Sequence, residues 1–154
     1  MKLELVVVGK TSPGWIREGF EEYLGRLRHY LPCSVREIPA AGALPAAKAL
    51  EKESRQILEK TTPRDWVILL DERGKSLTSV ELSTLLAKRM NDVSGNLVMV
   101  TGGAFGVSDE VRDRADMVLS CSGFTFTHQM IRLILAEQLY RAMTILRNES
   151  YHHV

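Results

Sequence analysis

The chain has 154 residues, which fits a single domain of residues 1–154. Hydrophobic residues make up 45% of it and charged residues 25%, a balance typical of a globular protein and not of a disordered or fibrous one. The formal net charge of +1 excludes a protein that holds nucleic acid by bulk charge alone, but it leaves room for a local basic patch.

Five short apolar runs alternate with helical patterns along the chain. The predicted strands are residues 3–8, 34–38, 66–70, 97–100 and 117–119. The predicted helices are residues 15–30, residues 44–60, one from Thr78 with Glu81 completing a capping box, a short one from Ser108, and the longest from Thr127 or His128 to near Asn148. Three of the runs are nearly continuous in Val, Ile and Leu, which suits strands covered on both faces. The alternation predicts an α/β fold with an open, mainly parallel sheet and helices on both faces.

The two cysteines and the apolar runs bear on where the protein works. Cys33 and Cys121 lack a CxxC or metal-type spacing, so we expect no metal and interpret them as reduced thiols of a cytoplasmic protein, with a disulfide as the alternative. Residues 3–8 are too few, and contain an acidic residue, for a signal peptide. No apolar stretch approaches the ~20 residues of a membrane span, so we expect no membrane partner.

Two glycine motifs invite a nucleotide interpretation. Gly74 begins a Gly-Lys-Ser tripeptide, but a P-loop needs another glycine five residues earlier, where Leu69 stands. We therefore interpret residues 71–75 as a polar turn after the third strand. Residues 101–106 contain GGxxG after the fourth strand, whereas a dinucleotide fingerprint is GxGxxG after the first. These glycines allow a ligand to approach the backbone closely, and a tight turn without a ligand is the alternative.

Three predicted strands end where a ligand would be expected. Ligands of open α/β sheets bind outside the carboxyl ends of the strands, and Leu70, Gly102 and Cys121 fall at such ends. Cys121 is followed by small polar residues and by Phe124 and Phe126. This mixture suits an adenine or a methionine side chain, held by a few backbone hydrogen bonds between apolar walls. The alternative for the two phenylalanines is a place in the core.

The last predicted helix carries both a core face and a polar face. The core face follows helical spacing through Ile131, Leu135, Leu139, Ala142 and Leu146. Arg132 lies on another face, and Glu137 and Arg141 form an i,i+4 pair. A solvated surface is the alternative for both arginines.

The chain resembles a known family in five segments taken together. They are KLELVVVGK, WIREGFEEYLGRL, ILLDERGKSLTSVELS, VTGGAFGVSDEV and LSCSGFTFTHQMIRLILAEQLYRAMTILRNESYHH. They resemble the small bacterial large-subunit ribosomal RNA methyltransferases of the SPOUT class, which act on N3 of pseudouridine. The resemblance spans the chain in one register. It implies a C-terminal trefoil knot, a homodimer packed through the knot region, S-adenosylmethionine as methyl donor, and a large-subunit rRNA stem-loop of the assembled ribosome as substrate.

The resemblance also implies roles for particular residues. The implied cofactor site consists of Leu70, Gly102, Cys121, Ser122, Gly123, Phe124, Thr125 and Phe126. The implied catalytic residues are Arg141, Tyr151 and His152, and the implied substrate-binding residues are His128, Arg132 and His153. Because N3 of pseudouridine must lose a proton, we expect His152 to transfer it, whereas an arginine would contact phosphate or the imide. Capping of the last helix is the alternative for His128.

The tail of the chain departs from the family pattern at one position. Members often finish Tyr-His-Arg or Tyr-His-Lys, whereas here His153 holds the cationic position, so its charge depends on its surroundings. A chain this small has little surface for an rRNA stem-loop. We therefore predict that the tail of one subunit completes the cofactor pocket of the other.

Two other functions compete with this prediction. A SPOUT methyltransferase acting on another RNA, such as tRNA, would have the same cofactor site. A non-catalytic ribosome assembly factor would use the fold as a binding module and would not bind S-adenosylmethionine.

Overall fold

The computed structural model describes residues 1–92 and 95–153. Within these residues the chain forms five strands: β1 (Leu3–Val8), β2 (Cys33–Ile38), β3 (Trp66–Ser76), β4 (Leu97–Thr101) and β5 (Met117–Ser120). The same residues form five helices: α1 (Gly14–Leu27), α2 (Ala46–Leu58), α3 (Ser79–Met90), α4 (Asp109–Arg114) and α5 (Met130–Leu146). The predicted alternation of strands and helices is confirmed.

The strands form one sheet in the order β2-β1-β4-β3-β5, and every described pairing between them is parallel. The central strand β4 and its neighbour β1 are buried along their whole length. The register places Leu70 of β3 opposite both Thr101 of β4 and Leu119 of β5. Leu70 therefore lies beside the carboxyl ends of β4 and β5, although β3 itself continues past the strand end predicted at this residue.

Helices cover both faces of the sheet, which confirms the predicted α/β class. On one face α1, α3 and α5 pack against the sheet around Phe20, Leu86, Met99 and Leu139. On the other face α2 and α4 supply Ile57 and Val111 to a second apolar cluster. The trefoil knot implied by the resemblance stays a prediction.

Local sequence signals fix two of the helix starts. The hydroxyl of Thr78 accepts the backbone N–H of Glu81 at 3.1 Å, and the Glu81 carboxylate accepts the backbone N–H of Thr78 at 2.7 Å. This is the predicted capping box of α3. Ser108 caps α4 as predicted. Among the helices described, none combines the length and the apolar composition that a membrane span requires.

The polar turn predicted at residues 71–75 is wrong, because β3 continues to Ser76. Leu70 and Lys75 both pair with Leu119 of β5, so the residues between them bulge out of register. Within this stretch, a Cβ atom on Gly74 would lie 2.6 Å from the carbonyl carbon of Val118. Gly74 therefore serves the close packing of two backbones and not the binding of a phosphate.

We expect Gly74→Ala to lower the free energy of unfolding by about 1–3 kcal/mol, because the backbone atoms of β5 cannot move aside cheaply. Gly25→Ala in α1 is the matched control, since its Cβ would meet nothing within 4 Å and should raise stability by about 0.5–1 kcal/mol. Urea unfolding of both variants measures the difference. Equal stabilities would contradict the packing role of Gly74.

Candidate functional site

A cavity of about 380 Å³ opens at the carboxyl ends of β3, β4 and β5, a size typical of small-ligand sites. Seven of the eight predicted cofactor residues line it: Leu70, Gly102, Cys121, Ser122, Phe124, Thr125 and Phe126. Gly123 belongs to the same loop but is not among the lining residues. The wall also contains residues that the sequence did not single out, among them Asp71, Glu72, Thr101, Val107 and Ile131.

The glycine turn after β4 forms one side of the cavity. Gly103 and Gly106 face each other in an antiparallel bridge, and Gly106 has a φ of +80°, which favours glycine. A Cβ atom on Gly102 would lie 3.0 Å from the Gly106 carbonyl group. The cavity therefore meets bare backbone here, which suits close approach of a ligand.

Two buried polar side chains beside this turn have unpartnered oxygens. Thr101 is 2% exposed and lines the cavity, and its hydroxyl has no hydrogen-bond partner among the described residues. Glu53 of α2 is 4% exposed. One of its oxygens accepts the backbone N–H of Ala41 at 2.8 Å, and the other, Oε2, has no partner in the described part. Such atoms are costly to bury unless something satisfies them, and at Thr101 a bound ligand can do so.

Two serine hydroxyls form hydrogen bonds within the loop after β5. The Ser120 hydroxyl donates to the carbonyl of Ser122 at 2.8 Å, and the Ser122 hydroxyl accepts the backbone N–H of Phe124 at 3.0 Å. Phe124 is 81% exposed and Phe126 39% exposed, so neither belongs to the core. Burial raises the pKa of the Cys121 thiol to about 11, so this thiol is neutral and unsuited to nucleophilic attack at neutral pH.

The rim of the cavity is acidic on the β3 side. Burial alone would raise the pKa of Asp71, but hydrogen bonds from Arg112 and Arg73 outweigh it and hold that pKa well below its usual range. The Asp71 carboxylate is thus ionised at neutral pH, and Glu72 lines the cavity beside it. In the described residues no three His, Cys, Asp or Glu side chains are grouped as a metal site would require.

His128 lines the cavity at the start of α5. Burial lowers its pKa, and the charge of Arg132 lowers it further, against a smaller opposing effect of Glu53. The side chain that caps the helix is that of Thr127, whose hydroxyl accepts the backbone N–H of Met130 at 3.1 Å. His128 is therefore free of a capping task and faces the cavity as a neutral imidazole at neutral pH.

The prediction that Arg132 contacts RNA is wrong for this structure, and so is its alternative of a solvated face. Arg132 is 0% exposed. Its guanidinium donates to the carbonyls of Val8, Gly9 and His128 and to the hydroxyl of Thr11. Burial lowers its pKa to about 10, so it keeps its charge at neutral pH. It fastens the start of α5 to the end of β1.

The predicted catalytic residues form a separate cluster with each other. The Glu137 carboxylate accepts hydrogen bonds from Arg141 and, at 3.0 Å, from the Tyr151 hydroxyl. Arg141 also contacts His152 at 3.3 Å, and the Tyr23 and Tyr151 hydroxyls lie 3.2 Å apart. Burial raises the pKa of Tyr151 well above its ordinary value, and the bonds with Tyr23 and Glu137 raise it further. The solvated-face alternative for Arg141 is thus wrong.

This cluster does not reach the cavity of its own chain. Arg141, Tyr151 and His152 are absent from the cavity wall in the described part. The cavity meets α5 at Ile131, and ten residues of helix, about 15 Å, separate it from Arg141. His153 is exposed beyond the cluster. One chain therefore carries the cavity at the start of α5 and the Arg141 cluster farther along the same helix, without contact between them in the described part.

The fold and the cavity define an α/β protein with a small-ligand site at the ends of parallel strands. The chain belongs to the SPOUT methyltransferase family, since the family model described as "Predicted SPOUT methyltransferase" matches residues 1–152. The resemblance found in the sequence is thereby confirmed.

Curated relatives match over nearly the full length. A protein of Parabacteroides distasonis is 48% identical over 156 residues, and one of Geobacter metallireducens is 47% identical over 155 residues. Each match covers 99% of this chain and 99% of the relative, and both relatives are named "Ribosomal RNA large subunit methyltransferase H".

Solved structures share the fold at low sequence identity. A probable methyltransferase from Bordetella pertussis has a TM-score of 0.59 at 13% identity, covering 92% of this chain and 96% of that chain. A probable methylase family protein from Haemophilus influenzae has a TM-score of 0.54 at 8% identity, covering 99% of this chain and 70% of that chain. These likenesses bear on the fold alone.

We expect Arg132→Lys to lower the free energy of unfolding by about 1–3 kcal/mol, because an ammonium group cannot satisfy the same spread of buried oxygens. The exposed Arg147 of the α5 C-cap supplies the control, and Arg147→Lys should stay within about 0.5 kcal/mol. Thermal and urea unfolding measure both. Wild-type stability combined with weaker RNA binding in Arg132→Lys would restore the RNA-contact role.

Proposed function

We propose that this chain is a single-domain cytoplasmic enzyme that uses S-adenosylmethionine to methylate N3 of a pseudouridine in large-subunit rRNA, acting as a homodimer on the assembled ribosome. The observation that carries the proposal is the cavity at the ends of β3, β4 and β5, in a chain of the SPOUT methyltransferase family. The near-full-length match to relatives named as large-subunit rRNA methyltransferases supports the choice of substrate over tRNA.

The cavity fits S-adenosylmethionine in size and chemistry. Phe126, Val107 and Leu119 offer apolar walls for an adenine, and the unpartnered Thr101 hydroxyl can bond to a polar group of the ligand. The ionised Asp71 at the rim supplies negative charge that suits a cationic sulfonium. When bound, S-adenosylmethionine supplies an activated methyl group that needs no metal. The chain's own task is to hold the two reactants in line at a separation of roughly 3–3.5 Å.

The distance between the cavity and the Arg141 cluster supports the homodimer. Arg141, Tyr151 and His152 pack against their own α5, about 15 Å along the helix from their own cavity. They reach a cofactor only if α5 of a second subunit lies across the cavity of the first. The exposed rings of Phe124, which lines the cavity, and of Phe105, in the glycine turn after β4, supply apolar area for such a contact.

The target base must be accessible to this shared site. A base within a stacked stem is out of reach, so the pseudouridine should be looped out or extruded. The Arg141 cluster then contacts the imide edge of the base while the cavity of the other subunit holds the methyl donor. His128, which lines the cavity, and His153, at the exposed tail, extend the substrate surface on either side.

Arg141→Ala should reduce methyl transfer by at least about 100-fold while leaving S-adenosylmethionine affinity unchanged, because Arg141 lies outside the cavity. The measurement is transfer of labelled methyl to ribosomes from cells that lack the protein, located by mass spectrometry of the rRNA, with calorimetry for cofactor binding. Retained turnover would remove Arg141 from the catalytic set. Methylation of free tRNA but not of ribosomes would favour the other RNA target, and absence of cofactor binding by the wild type would favour the assembly factor.

The shared site makes a prediction for mixed dimers. Gly102→Val fills the cavity of one chain, and Arg141→Ala disables the cluster of the other. Each variant alone should be inactive, whereas random mixing through refolding should restore about one quarter of wild-type activity, since half of the dimers then hold one intact composite site. If the mixture were no more active than the two separate variants, an active site shared between subunits would be ruled out. The matched control mixes Arg141→Ala with a variant truncated before Tyr151. This mixture should restore no activity, because both changes damage the same cluster.

A further inference from the structure

The contact between Arg141 and His152 determines where the imidazole carries its proton. Nη1 of Arg141 lies 3.3 Å from Nδ1 of His152. A guanidinium has only donors, so Arg141 donates and Nδ1 accepts. An imidazole whose Nδ1 accepts a hydrogen bond carries its proton, in the neutral form, on Nε2. His152 therefore presents an N–H donor at Nε2 and not a lone pair.

Glu137 keeps Arg141 in the orientation that this contact needs. Its Oε1 accepts from Nη2 of Arg141 and from the Tyr151 hydroxyl, and its Oε2 accepts from Nε2 of Gln138 at 2.8 Å. The Arg141 guanidinium carbon also lies 4.9 Å from the centre of the Tyr151 ring. Glu137 thus bonds to both Arg141 and Tyr151, and both Glu137 and Arg141 are largely buried.

The other polar groups of the cluster are donors as well. The Tyr151 hydroxyl is fixed as a donor to Glu137, and its raised pKa keeps the phenol protonated at neutral pH. Nε of Arg141 is buried and has no partner among the described residues. The single O–H of Tyr151 is used by Glu137, and the carboxylate of Glu137 offsets the charge of Arg141, so the cluster offers the N–H groups of His152 and Arg141 more than net positive charge.

We propose that His152 acts as a hydrogen-bond donor through Nε2, with Glu137 as the positioning residue that sets this tautomer through Arg141, and that the cluster binds the target base as its imide anion. This inference rests on the proposed function. An ionised uracil-type base presents a carbonyl oxygen on each side of N3, and these two acceptors suit the N–H groups of His152 and Arg141 while N3 faces the methyl donor. The expectation that His152 takes the proton is replaced by this role.

In this mechanism the proton on N3 is lost to solvent, so the reaction needs no side-chain base. The N3–H bond breaks and its proton goes to solvent, leaving the electron pair on N3. That pair forms the N3–CH3 bond as the S–CH3 bond breaks and its electron pair returns to sulfur. His152 donates throughout to a carbonyl oxygen beside N3, where negative charge is highest in the anion.

Nitrogen-15 NMR of the histidine-labelled full chain tests the tautomer without any substrate. His152 is assigned by the signal lost in His152→Gln. We expect a protonated Nε2 and an unprotonated Nδ1 in the wild type, and a mixture of tautomers in Arg141→Ala and Glu137→Gln. Glu51→Gln, which alters an exposed i,i+4 pair with Arg55 on α2, should leave the spectrum unchanged. A wild-type imidazole protonated at Nδ1 would overturn the proposal even if the protein proves to be an rRNA methyltransferase.

Kinetics of two His152 variants separate a donor from a base. The side-chain amide of glutamine can place an N–H near the position of Nε2 but cannot take a proton. We therefore expect His152→Gln to keep kcat within about tenfold of wild type, and His152→Leu to lose about 100- to 1,000-fold. Cofactor affinity should be unchanged in both. Equal losses in kcat for the two variants would mean that His152 works as a base, and the donor role would be abandoned.

Discussion

The buried guanidinium of Arg132 is the interaction on which the arrangement of this protein depends. It donates hydrogen bonds to the carbonyls of Val8 and Gly9 at the end of β1 and to the carbonyl of His128 at the start of α5. Gln129 adds to the same junction, because its amide bonds to the backbone of the loop between β1 and α1. A charge buried this deeply is tolerable only when most of its donors are satisfied. These bonds therefore fix the direction in which α5 runs from the cavity.

A fixed α5 explains why the two functional parts are far apart in one chain. The first turn of the helix supplies Ile131 to the cavity, and Glu137 and Arg141 lie about two and three turns farther along. A rigid helix cannot bring its two ends together, so only a second molecule can join them. The proposed function, in which the cavity and the Arg141 cluster act on the same base, therefore depends on the proposed homodimer.

Local sequence signals predicted the elements and the cavity, whereas long-range contacts escaped them. The capping box at Thr78 and the position of Leu70 beside the end of β4 each depend on a few neighbouring residues and on general rules of parallel sheets. Three of the four partners of Arg132 lie more than 120 positions away, and helical spacing alone places this residue on a polar face. The extension of β3 past Asp71 was likewise hidden, because its polar residues favour a turn until β5 is present to pair with them.

Several arginines near the cavity and the Arg141 cluster already have partners within the chain. Arg112 and Arg73 bond to Asp71, Arg141 bonds to Glu137, and Arg132 is enclosed by backbone carbonyls. Little of this positive charge is left to displace counterions from a phosphate backbone, so affinity for free RNA by charge alone should be small. Recognition must then depend on shape and on directed donors, which work best against a target already held in one conformation. An rRNA stem-loop within an assembled ribosome is such a target, whereas a flexible free RNA would first have to be ordered at a cost in binding free energy.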